Sequence, residues 1–525
     1  MERSGDRASR IGYMIAALAA AALLYGSLYA RETTLSYSIG YNLYGAERAL
    51  EGQVPYRDFQ MLYPPGTVYL NAAIFEAMGI SLRAALLGVM VFKVLTILMV
   101  CMCGFELMSN RWAFCAALCS LPWLRPNGPF KAVPMHYGAF FLAVALFFLL
   151  KYNRSLRRAS LFAAGVALGF LTLFKHNIGA YALIGSMVFV FLGGAARREA
   201  FRLAAMLLAG ALMPILAAAA YMLAEGALAP MARALAFGPG EFLAERLATL
   251  PSPIYPLAFW SLVIAIPGAA RKYKWAKALF CLIALLLAVS RSLIDPIIFY
   301  APALIVAVAM WVYIARRDIG PKAGALFVTA AFAASAFMES FPRFAQEQSI
   351  AAMPFVTLLA FYLARVARAQ FLPAVVALLL LGLKTFFGIY FDEGFKFRSD
   401  VRLDGGRARG VYFPREVAAQ ITEVMAYIEQ RVPPGGYFFA HSRAGSSYLF
   451  LSGRKSPSRA QFWGGVGVSE DERAATIRAL EEKGVKLVLT SELDLASERY
   501  DPMRAYLSAH FRPTRHIGSV LILER

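Results

Sequence analysis

One aspartate, Asp58, stands inside Gly52-Gln-Val-Pro-Tyr-Arg-Asp-Phe-Gln-Met-Leu-Tyr-Pro-Pro-Gly66, a short polar stretch between two hydrophobic regions. Pro55, Pro64 and Pro65 bar this stretch from helix or inner strand, because each removes an N–H and fixes φ. A carboxylate held in so rigid a loop at a membrane face has the chemistry of a general base. The plainer alternative is an aspartate that makes an ordinary turn beside interfacial tyrosines. Before the loop, Ser38 to Leu50 reads as a helix that stops at Gly52, a residue tolerant of positive φ.

The elements that position this loop are set by composition. The chain has 525 residues, of which 59% are hydrophobic and 16% charged, too apolar for a soluble protein of this length. Its net charge of +20 would suggest nucleic acid in a soluble chain, but the positives fall mostly in short loops between apolar runs and read as topology signals. Ile11 to Ala30 is an uncharged run preceded by Arg3, Arg7 and Arg10, long enough for the hydrocarbon core, and reads as a retained first span. Further spans are expected at 84–107, 112–124, 133–150, 159–174, 178–196, 203–224, 255–270, 278–290, 294–314, 323–338, 350–364 and 371–391, about thirteen in all. With the N-terminus inside, the inward segments carry 20 Lys and Arg and the outward ones 11. An odd number of spans then puts the 31–83 loop and the tail outside the cytoplasmic membrane.

The chain therefore divides into a transmembrane part, 1–391, and a tail, 392–525, whose composition is that of a small soluble domain. Helical spacing over Pro414–Arg431 and Glu470–Lys483 alternates with β-rich runs at 437–440, 485–490 and 517–523, which predicts an α/β module. It has no Walker loop, dinucleotide fingerprint or nucleophile elbow, and Gly464-Gly465-Val-Gly467 is too degenerate to count. All five cysteines lie in hydrophobic spans, which points away from disulfides and thiolate metal sites. Tyr37, Tyr41 and Tyr44, at i, i+4 and i+7, are expected on one helix stripe in the headgroup plane.

The order helix, Gly, Val-Pro-Tyr-Arg-Asp-Phe, then Tyr-Pro-Pro-Gly directly after a first span resembles the first outer loop of GT-C superfamily glycosyltransferases, nearest the bacterial aminoarabinose-transferase-like and protein-mannosyltransferase-like members. The resemblance rests on residues 38–79 and the overall layout, and extends to Leu173-Phe-Lys-His-Asn-Ile-Gly-Ala-Tyr181 and Ser340-Phe-Pro-Arg-Phe344. It implies a polytopic α-helical membrane protein with a small C-terminal α/β domain. The implied activity is inverting transfer of a hexosyl or pentosyl unit from a polyprenyl-phosphate donor to a hydroxyl of a lipid, glycan or protein acceptor. Asp58 would be the base. Arg57, Tyr63, Lys131, His136, Lys175, His176, Arg291 and Arg343 would bind substrate, the cations among them meeting the departing phosphate. Against that stands snorkelling, or pairing with Glu339, Glu347 or Asp295. No metal ligands are assigned and no cofactor is certain, with a divalent cation left open. The chain departs from the family pattern at Ser38-Ile39, Asn177, Ala345 and Gln348, where relatives carry acids or a histidine. A lipid-linked sugar transporter and an inactive GT-C-like scaffold are the competing readings. Internal symmetry would favour the transporter, and the missing acids favour the scaffold.

Overall fold

The structure, a computed structural model, describes residues 4–32, 34–35, 40–124, 134–194, 196–237, 291–315, 322–340, 350–366, 372–391, 400–442, 445–460, 468–492 and 502–525. The apolar runs fold as helices at Ser4–Gly26, Leu82–Leu107, Asn110–Ser120, Pro134–Ser155, Arg158–Phe174, His176–Leu192, Arg197–Ala224, Arg291–Ala315, Lys322–Phe337, Met353–Val366 and Leu372–Phe391. These overlap the expected spans with boundaries shifted by up to seven residues, while those expected at 255–270 and 278–290 lie outside the described residues. Within the described residues, four stretches are long and apolar enough to cross a membrane: Arg7–Gly26, Leu82–Leu107, Pro134–Ser155 and Arg197–Ala224. Six shorter apolar helices accompany them.

The Arg158–Phe174 and Arg197–Ala224 helices pack backbone to backbone. A Cβ added at Gly165 would run into the Leu207 carbonyl, one at Gly169 into the Ala211 carbonyl, and one at Gly210 into the Phe162 carbonyl. In lipid, where apolar side chains find no better partner in one another than in acyl tails, such small-residue contacts are what bring helices together. The spacing Gly165-x-x-x-Gly169 was in plain view as the signature of this crossing.

Part of the first loop, 31–83, is covered by protein. A turn of π-helix, Gly40–Tyr44, runs into the Gly45–Leu50 helix, and the C-terminal domain covers both. Tyr41 and Tyr44 are therefore buried and hydrogen-bonded: the Tyr44 hydroxyl accepts from the Ser456 amide at 2.8 Å, and the Tyr41 hydroxyl from the Leu62 amide. The expected interfacial stripe is corrected: Tyr44 meets the C-terminal domain, Tyr41 packs inside the loop with Val54, Phe59 and Met222, and Tyr37 lies outside the described residues. Leu43, Ala46, Phe75 and Leu82 share one apolar core with Phe413, Ile421, Ile428 and Tyr448, and the Phe75 and Phe450 rings stack at 5.7 Å. Loop and C-terminal domain accordingly lie at the same end of the helix bundle.

In the C-terminal domain, β1 (Asp400–Arg402) and β2 (Tyr412–Pro414) form an antiparallel pair. A four-stranded sheet of order β3-β4-β6-β5 follows, with β3 at Phe439–Ala440, β4 at Leu487–Thr490, β5 at Arg512–Ile517 and β6 at Val520–Glu524. Only β3 and β4 run parallel. The single strand expected over 517–523 is instead two strands joined at Gly518-Ser519, where Gly518 has φ +57° and Ile517 faces Val520. Strand β5, Arg-Pro-Thr-Arg-His-Ile, escaped the hydrophobic pattern because it is an edge, exposed until Ile517. The Gly464-Gly465-Val-Gly467 run lies outside the described residues.

Of the described ion pairs between the two parts, which include Arg31–Asp400 at 3.1 Å and Lys455–Glu51 at 3.8 Å, the most enclosed is Arg407–Glu47. Arg407 donates two bonds of 2.6 Å to the Glu47 carboxylate and a third, of 2.7 Å, to the Phe450 carbonyl. Glu47 is 8% exposed at its side chain, and burial pushes its carboxyl above the usual range even against Arg407. Truncating Arg407 to Ala strands that carboxylate, which is expected to remove about 3–5 kcal/mol of stability. The pair Glu47→Met with Arg407→Leu is expected to recover most of it. Unfolding midpoints of the detergent-solubilised full-length chain check both, and equal losses in the single and double variants would refute the account.

Candidate functional site

The Gly45–Leu50 helix ends where expected, at Gly52 with φ +84°. The chain then makes a tight turn over Val54–Phe59. The Asp58 amide donates to the Val54 carbonyl at 2.9 Å and the Tyr56 amide to the Phe59 carbonyl at 2.7 Å. Tyr56 takes φ +69°, a left-handed conformation uncommon outside glycine, and is held there by burial and by its hydroxyl, which donates to the Tyr63 carbonyl at 2.5 Å.

Arg48, one residue after Glu47, braces the turn from inside. It donates to the Asp58 carbonyl at 3.0 Å, to Gln53 Oε1 at 2.6 Å and to the Ser458 carbonyl at 3.4 Å, with its guanidinium 4.7 Å from the Phe59 ring. Burial lowers its pKa from the ordinary arginine value. Arg459 of the C-terminal domain closes the turn from outside, donating to the Tyr56 carbonyl at 3.2 Å and the Arg57 carbonyl at 2.5 Å, while its own carbonyl accepts from Gln60.

The Asp58 carboxylate is thereby fixed and still reachable, its side chain 31% exposed. Oδ2 accepts from the Val54 amide at 2.7 Å and Arg57 Nη2 at 2.9 Å, and Oδ1 accepts from Arg57 Nε at 3.0 Å. Arg57 also reaches Glu225, at the end of the Arg197–Ala224 helix, through the carbonyl at 2.9 Å and Oε2 at 3.1 Å. The Arg57 guanidinium, aided by the Val54 amide, holds the Asp58 carboxyl below the usual carboxylate range. Asp58 is therefore ionised at neutral pH. The ion pair is exposed on both sides, so opening it costs at most about 1 kcal/mol.

Of the other expected site residues, the structure brings Tyr63 and Lys175 together. Lys175 occupies the break between the Arg158–Phe174 and His176–Leu192 helices, its Nζ 4.3 Å from the centre of the Tyr63 ring and 3.0 Å from Glu339 Oε1. Lys175 and Glu339 side chains are 10% and 4% exposed, so this is a buried pair, the carboxylate pairing that the sequence set against phosphate contact. Next to it, His176 Nδ1 and Asn177 Oδ1 are buried without a hydrogen-bond partner, as is Thr67 Oγ1 at the start of the Gly66–Met78 helix. His136 lies half-buried in the first turn of its helix, beside Tyr137, which donates to Asn71 Oδ1 at 2.8 Å. Lys131 and Arg343 lie outside the described residues, as does the side chain of Arg291, which opens the Arg291–Ala315 helix. Sequence reading passed over Glu47, Arg48 and Glu225. Charged residues amid Ala and Leu on the helix before Gly52 were the available signal for the first two, and Glu225 carried none. Among the described residues no three His, Cys, Asp or Glu side chains stand together as metal ligands.

No protein-family model matches the chain, and no curated protein matches it. Solved structures do. ArnT from Cupriavidus metallidurans bound to undecaprenyl phosphate superposes with a TM-score of 0.53 at 13% identity, covering 98% of each chain. The Archaeoglobus fulgidus oligosaccharyltransferase in complex with zinc and sulfate gives 0.51 at 15% identity, over 90% of this chain and 68% of that one. The same enzyme tethered to an acceptor peptide containing the NVT sequon gives 0.50 at 15% identity. ArnT and the oligosaccharyltransferase are both GT-C glycosyltransferases, and this chain is a polytopic helical membrane protein with the GT-C fold and a small C-terminal sheet domain.

Proposed function

We propose that this protein transfers a sugar from a polyprenyl-phosphate carrier to an acceptor hydroxyl at the outer face of the cytoplasmic membrane, with inversion. The observation that carries the reading is the Asp58 turn: an ionised, partly exposed carboxylate, braced by Arg48 and Arg459 at the seam between helix bundle and C-terminal domain. The GT-C fold supports it, as does the undecaprenyl phosphate bound by the Cupriavidus protein. Fold alone would not carry an activity.

In this reaction the acceptor oxygen attacks the anomeric carbon as Asp58 takes its proton, and the bond from that carbon to the carrier phosphate breaks on the opposite face. Proton removal by a positioned carboxylate is worth about 10² to 10⁴ in rate. The acceptor hydroxyl must displace Arg57 from one carboxylate oxygen, which the weakness of that exposed pair permits, and Glu225 keeps the guanidinium nearby. Tyr63, His136 and His176 are assigned to the donor, with Lys131, Arg291 and Arg343, while Lys175, held by Glu339, supports the Tyr63 ring. His176 Nδ1 and Asn177 Oδ1 have unmet hydrogen-bonding capacity suited to sugar hydroxyls. Among the described residues no three metal-ligating side chains stand together, and no step runs through a divalent cation. Acceptors remain a lipid, glycan or protein. A scaffold that has lost catalysis is the second reading, favoured by one observation: Arg57 and the Val54 amide occupy both Asp58 oxygens.

Turnover in membranes with a labelled polyprenyl-phosphate sugar separates the two. Asp58→Asn is expected to lose about 10² to 10⁴ in rate while still binding donor. A depressed carboxyl pKa means that the base is active above that pKa and lost as pH falls through it. Arg57→Gln removes the main cause of the depression, so the acid limb of the rate profile should move to higher pH. Unchanged turnover in Asp58→Asn would remove the base. An intact chain without turnover on any donor would favour the scaffold.

The proposed orientation, N-terminus in the cytoplasm and C-terminal domain outside, is supported by the 20-to-11 division of basic residues. A reporter active only outside the cytoplasm should be active when fused after Arg525. Activity from a cytoplasm-only reporter at that site would reverse the topology.

A further inference from the structure

A cavity opens at the end of the bundle away from the Asp58 loop. Lys175 and Glu225 sit at the helix ends that meet the Asp58 loop, so the opposite ends of the same helices, near Arg158, Leu192 and Arg197, lie a full helix length away. There a cavity of about 710 Å³ is walled by Phe189, Val190, Leu203 and Phe327, with Leu156 and Leu192 at its mouth. Tyr152, Asn153 and Arg158 line its polar part, together with Glu199.

Two features of the mouth define its ligand. Leu156 and Leu192 are 70% and 52% exposed, apolar side chains turned outward among charged neighbours, as at the border between acyl chains and headgroups. Around them stand Lys151, Arg157, Arg197, Arg198, Arg202 and Lys322, all exposed and each within a few residues of a lining residue. The acids present are largely neutralised: Glu199 accepts from Arg158 at 2.7 Å and lies 3.8 Å from Arg202, and Glu106 lies 3.4 Å from Arg154. Cations remain in excess over a greasy slot of a size suited to a small amphiphile.

We infer that this cavity is a binding site for an anionic phospholipid of the leaflet it faces, its acyl chain against Phe189, Val190, Leu203 and Phe327 and its phosphate among Arg157, Arg158, Arg197 and Arg198. Basic pockets between membrane helices hold acidic headgroups in this way, each cation near the surface adding to affinity. The site is distinct from the Asp58 loop and does not depend on the reading of that loop as catalytic.

The test uses the full-length chain in detergent with phosphatidylglycerol, phosphatidylcholine or inorganic phosphate added, read by thermal unfolding and native mass spectrometry. Phosphatidylglycerol should raise the midpoint and stay bound, whereas phosphatidylcholine and phosphate should do neither. Arg157→Gln with Arg198→Gln, both exposed and safe for folding, should weaken phosphatidylglycerol binding roughly thirtyfold, and Arg111→Gln, an exposed cation away from the cavity, should not. Equal response to phosphatidylcholine would overturn the charge selectivity. Binding of free phosphate alone would overturn the lipid, and loss in Arg111→Gln equal to that in the double variant would reduce the effect to surface charge.

Discussion

The end of the helix bundle that carries the Asp58 loop takes its geometry from the bidentate contact between Arg407 and Glu47. A buried ion pair adds little net stability, because desolvating two charges nearly cancels their attraction. Its effect is on geometry. Two parallel bonds between a planar guanidinium and a planar carboxylate admit one relative orientation, so the pair sets the rotation of the Gly45–Leu50 helix against the C-terminal domain. That rotation turns Arg48 toward the loop, where its bonds to the Asp58 and Ser458 carbonyls define the turn. Close approach elsewhere depends on the same seating: at Gly40 any side chain would strike the Ser446–Ser447 backbone. The C-terminal domain is thus part of the wall of the candidate site.

Exposure distinguishes the two ion pairs of the site. Arg57 and Asp58 are both exposed to about a third or more, and water competes for each. Lys175 and Glu339 are almost wholly enclosed, so removing either would leave an uncompensated charge in a poorly solvated place. One pair is easily opened and the other is committed. A labile pair suits a group that must exchange partners during the proposed turnover, and a committed one suits a fixed support beneath the Tyr63 ring.

Much of the membrane part was legible because its signal is one-dimensional: twenty or so apolar residues between basic loops read as a span whatever they pack against. The end of the loop helix at Gly52 was legible for a similar reason, since the cue is local. Tyr44 was misplaced because burial under a domain some four hundred residues away leaves no trace in the local pattern, and Tyr41 because its partners come from the following loop and from Met222. The same distance hid the partner of Glu47, and Glu225 lies 168 residues beyond Arg57. Strand β5 was missed because an edge needs no apolar face, although the Gly518-Ser519 hairpin turn was there to be found. Asp58 could be singled out, but not the fact that its next-door neighbour holds it.

The glycine crossing of the Arg158–Phe174 and Arg197–Ala224 helices acts as a rivet in the scaffold. Lys175 follows the first helix and Glu225 the second, and they grip the loop at Tyr63 and Arg57 respectively. Helices joined backbone to backbone slide little, so the span between these two anchors stays constant, and the Asp58 loop behaves as a strap fastened at both ends. For the proposed reaction, room for a lipid-linked sugar or its acceptor must come from the third side, by lifting of the C-terminal domain, Arg407 and Arg459 with it, from Gly40, Glu47 and the Tyr56–Arg57 carbonyls.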